Sequence, residues 1–278
     1  MSIDRRRIWR VIRIVWVTAG VGAVVAMAYG MSTAPLPPDS LTSDARVEIV
    51  QGRESIDFRP RPDDPARVGL IFFPGGLVSA EAYAPMARRI AEQGHPVSIV
   101  RLPWRMAPTP AYEEMAFRTA RETIAASHHR WAVGGHSRGG MLSTKYVERY
   151  REGLAGLILV GTTHPRERDL SWLEVPVLKV YASHDGVATP ADVRRYAANL
   201  PATATFVEID GGNHRQFGYY RYQLMDGRAT SSRRGSSRRL SVCCSARKLS
   251  RSLPLAGCSC PFTGQVGHFA ENPEHFCA

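Results

Sequence analysis

An uncharged, mostly apolar run fills residues 14–31. From residue 46 the pattern changes. Short apolar runs at 46–50, 55–59, 68–73, 96–101, 131–135, 154–160, 175–181 and 203–209 have the length and character of strands. The run at 68–73 has no polar interruption, as a strand covered on both faces requires. Between the runs lie stretches with helical spacing, at 79–93, 110–127, from the middle of the chain to near Gly153, and at 190–200. Pro110 is well placed to open the second of them. Strands alternating with helices predict an α/β fold, with a mostly parallel central sheet and helices on both faces.

The long N-terminal run has a different meaning. Extended to Val11 it is 21 residues, and Arg13 is able to snorkel to the headgroups. Arg5, Arg6, Arg7, Arg10 and Arg13 crowd its start, and no charge follows it closely. That asymmetry predicts a single-pass membrane anchor over residues 11–31, with the N-terminus cytoplasmic and the remainder extracytoplasmic. A secreted protein released by cleavage after Ala26-Met27-Ala28 is the alternative. Residues 1–31 thus form a basic stub and anchor, and 32–45, with Pro35, Pro37 and Pro38, a short stiff linker. Residues 46–228 form the folded domain, and 229–278 a Ser/Arg/Cys-rich low-complexity tail.

Charge changes the picture little. The net charge of +11 comes mainly from the two ends, while residues 32–228 carry 24 basic and 22 acidic side chains. A nearly neutral body argues against nucleic acid as a partner. All five cysteines (Cys243, Cys244, Cys258, Cys260, Cys277) lie in the tail, without zinc-site spacing. His128-His129 is not a ligand set either, and no phosphate-binding glycine loop is present. The expectation is therefore no metal and no cofactor.

The candidate chemistry centres on Gly134-Gly135-His136-Ser137-Arg138-Gly139-Gly140, between a strand-like run and a helix-compatible segment. Gly135-x-Ser137-x-Gly139 is a G-x-S-x-G motif in its strand–turn–helix setting. A serine on so sharp a turn projects its hydroxyl above the sheet, and the following helix aims its positive end at an oxyanion formed there. A nucleophilic serine needs a base, and the base an orienting acid. The strand at 175–181 runs into Ser183-His184-Asp185-Gly186, and that at 203–209 into Gly211-Gly212-Asn213-His214. Taken singly, Asp185 reads as a turn aspartate and His214 as a loop histidine. Together they follow the strand ends where open parallel sheets place their sites.

With Phe72-Phe73-Pro74-Gly75-Gly76, the serine motif, Val175-Pro176-Val177 leading to Asp185-Gly186, and Gly211-Gly212-Asn213-His214 with Gln216-Phe217-Gly218, the chain resembles the α/β-hydrolase superfamily over about 68–228. The resemblance is specifically to its small "alpha/beta hydrolase fold-5" group. It implies Ser137 as nucleophile, His214 as base and Asp185 as its orienter. It also implies an oxyanion hole from the backbone N–H of Arg138 with that of Gly76 or Leu77. Only residues 162–174 separate two strands where larger members insert a lid, so no lid domain is expected and the site is open. His164 and Trp172 in that loop are candidates to line the site, against the plainer expectation of an exposed loop histidine and tryptophan.

The implied activity is a serine hydrolase cleaving a small-molecule ester or amide through an acyl-enzyme. A catalytically silent binding domain and an acyltransferase are the alternatives. Members of the fold close with a helix after the histidine loop, yet the sequence beyond residue 228 turns polar and repetitive. The expectation is a shifted reading frame near residue 230 and a poorly supported, mobile histidine loop.

Overall fold

In the computed structural model, which describes residues 5–233, one eight-stranded sheet organises the body. Helix α1 (Arg5–Gly30) comes first. The strands follow as β1 (Val47–Gln51), β2 (Ser55–Pro60), β3 (Gly69–Phe73), β4 (Val97–Val100), β5 (Trp131–His136), β6 (Leu154–Val160), β7 (Val177–Ala182) and β8 (Thr205–Ile209). Their spatial order is β1-β2-β4-β3-β5-β6-β7-β8. β1 and β2 pair antiparallel, as do β2 and β4, and every later pair is parallel. Parallel strands must be linked by crossovers, supplied here by α2 (Ala84–Ala91), α3 (Pro110–Ala125), α4 (Arg138–Arg149) and α5 (Pro190–Arg195).

The alternation inside each strand divides the core. Phe72, Ile99 and Val180 point to the face covered by Tyr83, Met86 and Ile90. Ile71, Phe73, Val133 and Leu157 point to the opposite face, against Phe117, Leu142 and Tyr146. β3, β4, β5 and β6 are buried at every position, which explains why their residues are mostly apolar. No lid domain interrupts the sheet among the described residues.

Two expected helices are broken. The segment 79–93 divides into a tight 3-10 turn (Ala80–Tyr83) and α2, because Pro85 has no N–H to continue an α-helix from Glu81. The segment 190–200 divides into α5 and a turn at Ala197–Asn199. There the Asn199 side chain donates to the carbonyls of Pro165 and Arg166, and its own carbonyl accepts from Leu170 N. Those tertiary bonds outweigh helical propensity.

α1 is exposed along its length, and Arg6–Gly30 is long and apolar enough to cross a membrane, as a signal sequence also would be. Its end is tied to the body. Tyr222 N donates to Gly30 O at 2.8 Å, Arg221 N to Ser32 O at 3.2 Å, and Ala34 N to Tyr219 O at 2.8 Å. Residues 32–45, expected to be a linker, lie along the body: Ser40 is buried, and Arg88 donates to the carbonyls of Asp39 and Thr42 and pairs with Asp44.

Candidate active site

Ser137 stands between β5 and α4 with φ 52° and ψ −114°, a left-handed conformation that costs a non-glycine residue roughly 1–3 kcal/mol. Its neighbours enforce the turn. A side chain at Gly139 would run into the Phe73 carbonyl, and one at Gly135 into the Gly139 backbone. Ser137 N donates to Val160 O at 3.0 Å, fastening the turn to β6. The serine is partly exposed at the top of the sheet.

Next to it, the buried His136 is held by Tyr83. Gly75 N donates to the Tyr83 hydroxyl oxygen at 3.0 Å, so that hydroxyl gives its own proton to His136 Nδ1 at 2.8 Å. The chain of bonds ties the Pro74–Leu77 turn to the serine turn. Burial, with His214 beside it, pushes the His136 pKa well below the ordinary histidine value. Burial also pushes the Tyr83 hydroxyl pKa up, so it stays protonated as a donor.

The amides at the expected oxyanion position separate into two kinds. Leu77 N already donates to Arg105 O at 2.6 Å. Gly76 lies against Arg138, such that a Cβ at Gly76 would sit 3.4 Å from Arg138 Cβ. Arg138 opens α4, so its N–H has no acceptor one turn earlier in the helix. The Arg138 side chain turns away from that amide. Its Nε donates to Met106 O at 3.2 Å, and its Nη2 to Ala107 O at 2.7 Å and Glu113 Oε1 at 3.0 Å. Buried Glu113 also takes Lys145 Nζ at 2.8 Å. Arg138 thus braces a loop in which Trp104, Arg105 and Ala107 all have positive φ.

Asp185 and His214 meet. Asp185 follows β7 and His214 follows β8, and both are almost completely buried. His214 Nδ1 donates to Asp185 Oδ2 at 2.9 Å. The other carboxylate oxygen accepts from Val187 N at 2.8 Å and Ala188 N at 2.6 Å, which fixes its plane. With Nδ1 bonded to Asp185, Nε2 is the ring nitrogen of His214 left for another partner. The His214 ring lies 4.5 Å, centroid to centroid, from that of His136, on the residue before Ser137. The Ser137 hydroxyl makes no hydrogen bond among the described residues.

The histidine turn is held from downstream. Asp226 accepts from His214 N at 3.0 Å, Arg215 N at 2.9 Å and Gly186 N at 3.3 Å. Asn213 Nδ2 donates to Gly227 O at 2.7 Å, Gln216 Nε2 to Ser231 O at 2.7 Å, and Arg233 Nη2 to Tyr220 O at 3.0 Å. The expected mobile histidine loop is therefore bonded to residues 226–233. The rest of the tail, including its five cysteines and the expected frame shift, lies outside the described residues.

The loop at 162–174 divides its two candidates. His164 is half-buried, its pKa pushed down to about 4 by burial and the charges of Arg166, Lys179, Arg168 and Arg138. Buried Lys179 donates to its carbonyl, and burial lowers the Lys179 pKa to about 7. Trp172 packs under Arg151, beyond the far end of α4. A twelve-residue helix is about 18 Å long, so Trp172 does not line the site. Among the described residues no cluster of His, Cys, Asp or Glu is arranged to hold a metal ion. Sequence reading missed Tyr83, Asp226 and the Arg138 side chain; Asp226-Gly227 is the one local hint of a turn carboxylate.

The fold has solved relatives. A CIB-like hydrolase from Thermoplasma acidophilum superposes with a TM-score of 0.52 at 15% identity, covering 70% of this chain and 95% of that one. A mutant of the esterase rPPE superposes with a TM-score of 0.54 at 14% identity, covering 84% and 89%. At such identities the likeness speaks for the fold. No curated protein sequence matches the chain significantly. A family model does, the "Alpha/beta hydrolase family", over residues 69–238. Spanning more than half the sequence, that match carries the conclusion that the chain belongs to the α/β-hydrolase family.

Proposed function

We propose that the protein is a serine hydrolase that cleaves an ester or amide of a small substrate through an acyl-enzyme. The observation that carries this reading is the buried 2.9 Å bond from His214 Nδ1 to Asp185, set beside a strained, glycine-enforced Ser137. Ser137 Oγ attacks the substrate carbonyl carbon while His214 Nε2 takes its proton. Asp185 holds the tautomer and stabilises the imidazolium. The carbonyl electrons move onto oxygen, and the oxyanion is met by the amides of Arg138 and Gly76. Leu77 is left out because its amide is committed to Arg105. His214 then protonates the leaving alcohol or amine, and water, activated by the same nitrogen, releases the acid and restores Ser137.

We assign α1 as an uncleaved anchor that leaves the arginine cluster in the cytoplasm and the body outside. A fluorophosphonate probe on the full chain, with Ser137→Ala as control, tests the chemistry. Wild type is expected to label and the variant not. Equal labelling would favour a silent binding domain. Acyl transfer is recognised if added alcohol or amine yields a new ester or amide from a labelled donor.

A further inference from the structure

The end of α1 and the histidine turn share one short segment. Tyr222 N is bonded to Gly30 O, where α1 ends, and four residues later Asp226 holds the backbone of His214. Four residues of extended chain reach at most about 14 Å. His214 therefore lies close to the point where α1 meets the body, well within the roughly 30 Å of a bilayer's hydrocarbon core.

That connecting segment is apolar and uncovered. Tyr222, Leu224 and Met225 are 58%, 60% and 81% exposed. Met225 also has φ +63°, a conformation that a turn in water ordinarily gives to glycine or asparagine. Its backbone lies against Gly186, beside Asp185, and Val187 on the same rim is 40% exposed. The charges match a lipid surface. Arg221, which stacks on the Tyr29 ring, and Arg228 are exposed, while the one acid of the segment, Asp226, is occupied by amides. An arginine and two tyrosines at a helix exit, next to exposed leucine and methionine, are the composition of a membrane interface.

We infer that residues 222–225 rest on the bilayer in which α1 is anchored, and that the substrate is a lipid-borne ester drawn to Ser137 from that surface. The inference rests on the hydrolase and anchor readings given above. An acyl chain leaving the leaflet passes Leu224 and Met225, along the side of the site on which Val187 adds apolar surface. Among the described residues no lid domain is inserted after β6 to cover that approach.

The test uses the full chain in vesicles of mixed neutral and anionic phospholipid. Two substrates are compared, water-soluble p-nitrophenyl acetate and a fluorogenic long-chain ester embedded in the vesicles. Leu224→Glu/Met225→Glu is expected to lose at least about tenfold in kcat/KM on the embedded ester while staying within about twofold on the soluble one. The conservative Leu224→Phe/Met225→Leu keeps both. A parallel loss on both esters, or no loss on the embedded one, overturns the inference. So does a wild-type protein that hydrolyses the soluble ester in a Ser137-dependent way but leaves the embedded ester intact. If wild type neither labels with fluorophosphonate nor cleaves the soluble ester above Ser137→Ala, it is the hydrolase reading that falls.

Discussion

The serine turn and the histidine turn, the two halves of the candidate site, are built in opposite ways. Ser137 is placed by its immediate neighbours: Gly135 and Gly139 leave no room for side chains, and β5 and α4 fix the entry and exit. His214 is placed by distant ones. Its ring is held by Asp185, 29 residues earlier, and its backbone by Asp226, 12 residues later. The segment after it is bonded in turn to residues 30–34 at the end of α1. One half of the site is thus encoded in about seven consecutive residues, and the other needs both ends of the body.

The sharpest way to break the contrast is at the local side. Gly139→Ala drives a methyl group into the Phe73 carbonyl, where neither backbone has freedom to withdraw. A loss exceeding about 4 kcal/mol of stability is expected, seen as a collapse of soluble yield and of the thermal transition. A variant that melts like wild type would show that the turn is not rigid.

The distant side should fail differently. Asp226→Ala strips the amides of His214, Arg215, Gly186 and Gly227 of their acceptor, yet it leaves the apolar core untouched. kcat is expected to fall by roughly 10–100-fold with only a few degrees lost in melting temperature, as misplaced catalytic groups cost rate before stability. Asp226→Asn, retaining one acceptor oxygen, should recover part of the rate. Equal loss of rate and stability would contradict a positioning role.

A smaller effect tests the bond that joins the serine turn to the Pro74–Leu77 turn. Tyr83→Phe leaves Gly75 N and His136 Nδ1 without a partner, at about 1–3 kcal/mol per buried group. Melting temperature should drop, and fluorophosphonate labelling should slow by about tenfold or less. Unchanged labelling would remove Tyr83 from the machinery.

The smallest effect is on pH dependence. His136 is buried neutral, with its pKa depressed, whereas in the unfolded chain it binds a proton below about 6.5. The unfolded state therefore holds the extra proton as pH falls from that value, and folding stability declines. The slope is at most about 1.4 kcal/mol per pH unit, with His164 acting in the same direction down to about 4. Melting temperatures between pH 7.5 and 5 read this out. His136→Gln should flatten the curve, and an unchanged slope would assign the acid sensitivity elsewhere.

The same contrast governs how much of the molecule is legible in its sequence. The strand positions are legible to within two residues at each end, because the buried parallel strands are mostly apolar runs and β1 and β2 alternate apolar with polar residues. Ser137 is legible because its geometry is local. Tyr83 is not: its partner His136 lies 53 residues away, and nothing in Ala82-Tyr83-Ala84 marks a buried hydroxyl. Asp226 is hidden in sequence that turns polar soon after it, although that segment supplies the support expected from a closing helix. Trp172 is left between lining the site and plain loop exposure, because loop length alone cannot say which end of α4 it returns to.

The pairing of Ser32–Ala34 with Tyr219–Arg221 has a consequence for how the protein is made. Arg221 and Ser32, joined by a side-chain bond, are 189 residues apart. Ribosomes add roughly 5–20 residues per second, so the first residues beyond α1 wait on the order of 10–40 s for their partners to be synthesised. For most of that interval the site's histidine does not yet exist, whereas the serine turn can close once Val160 in β6 has been made. The nascent chain completes its serine turn early and its histidine turn late, and the candidate site is whole only once the segments at 32–34 and 219–221 have met.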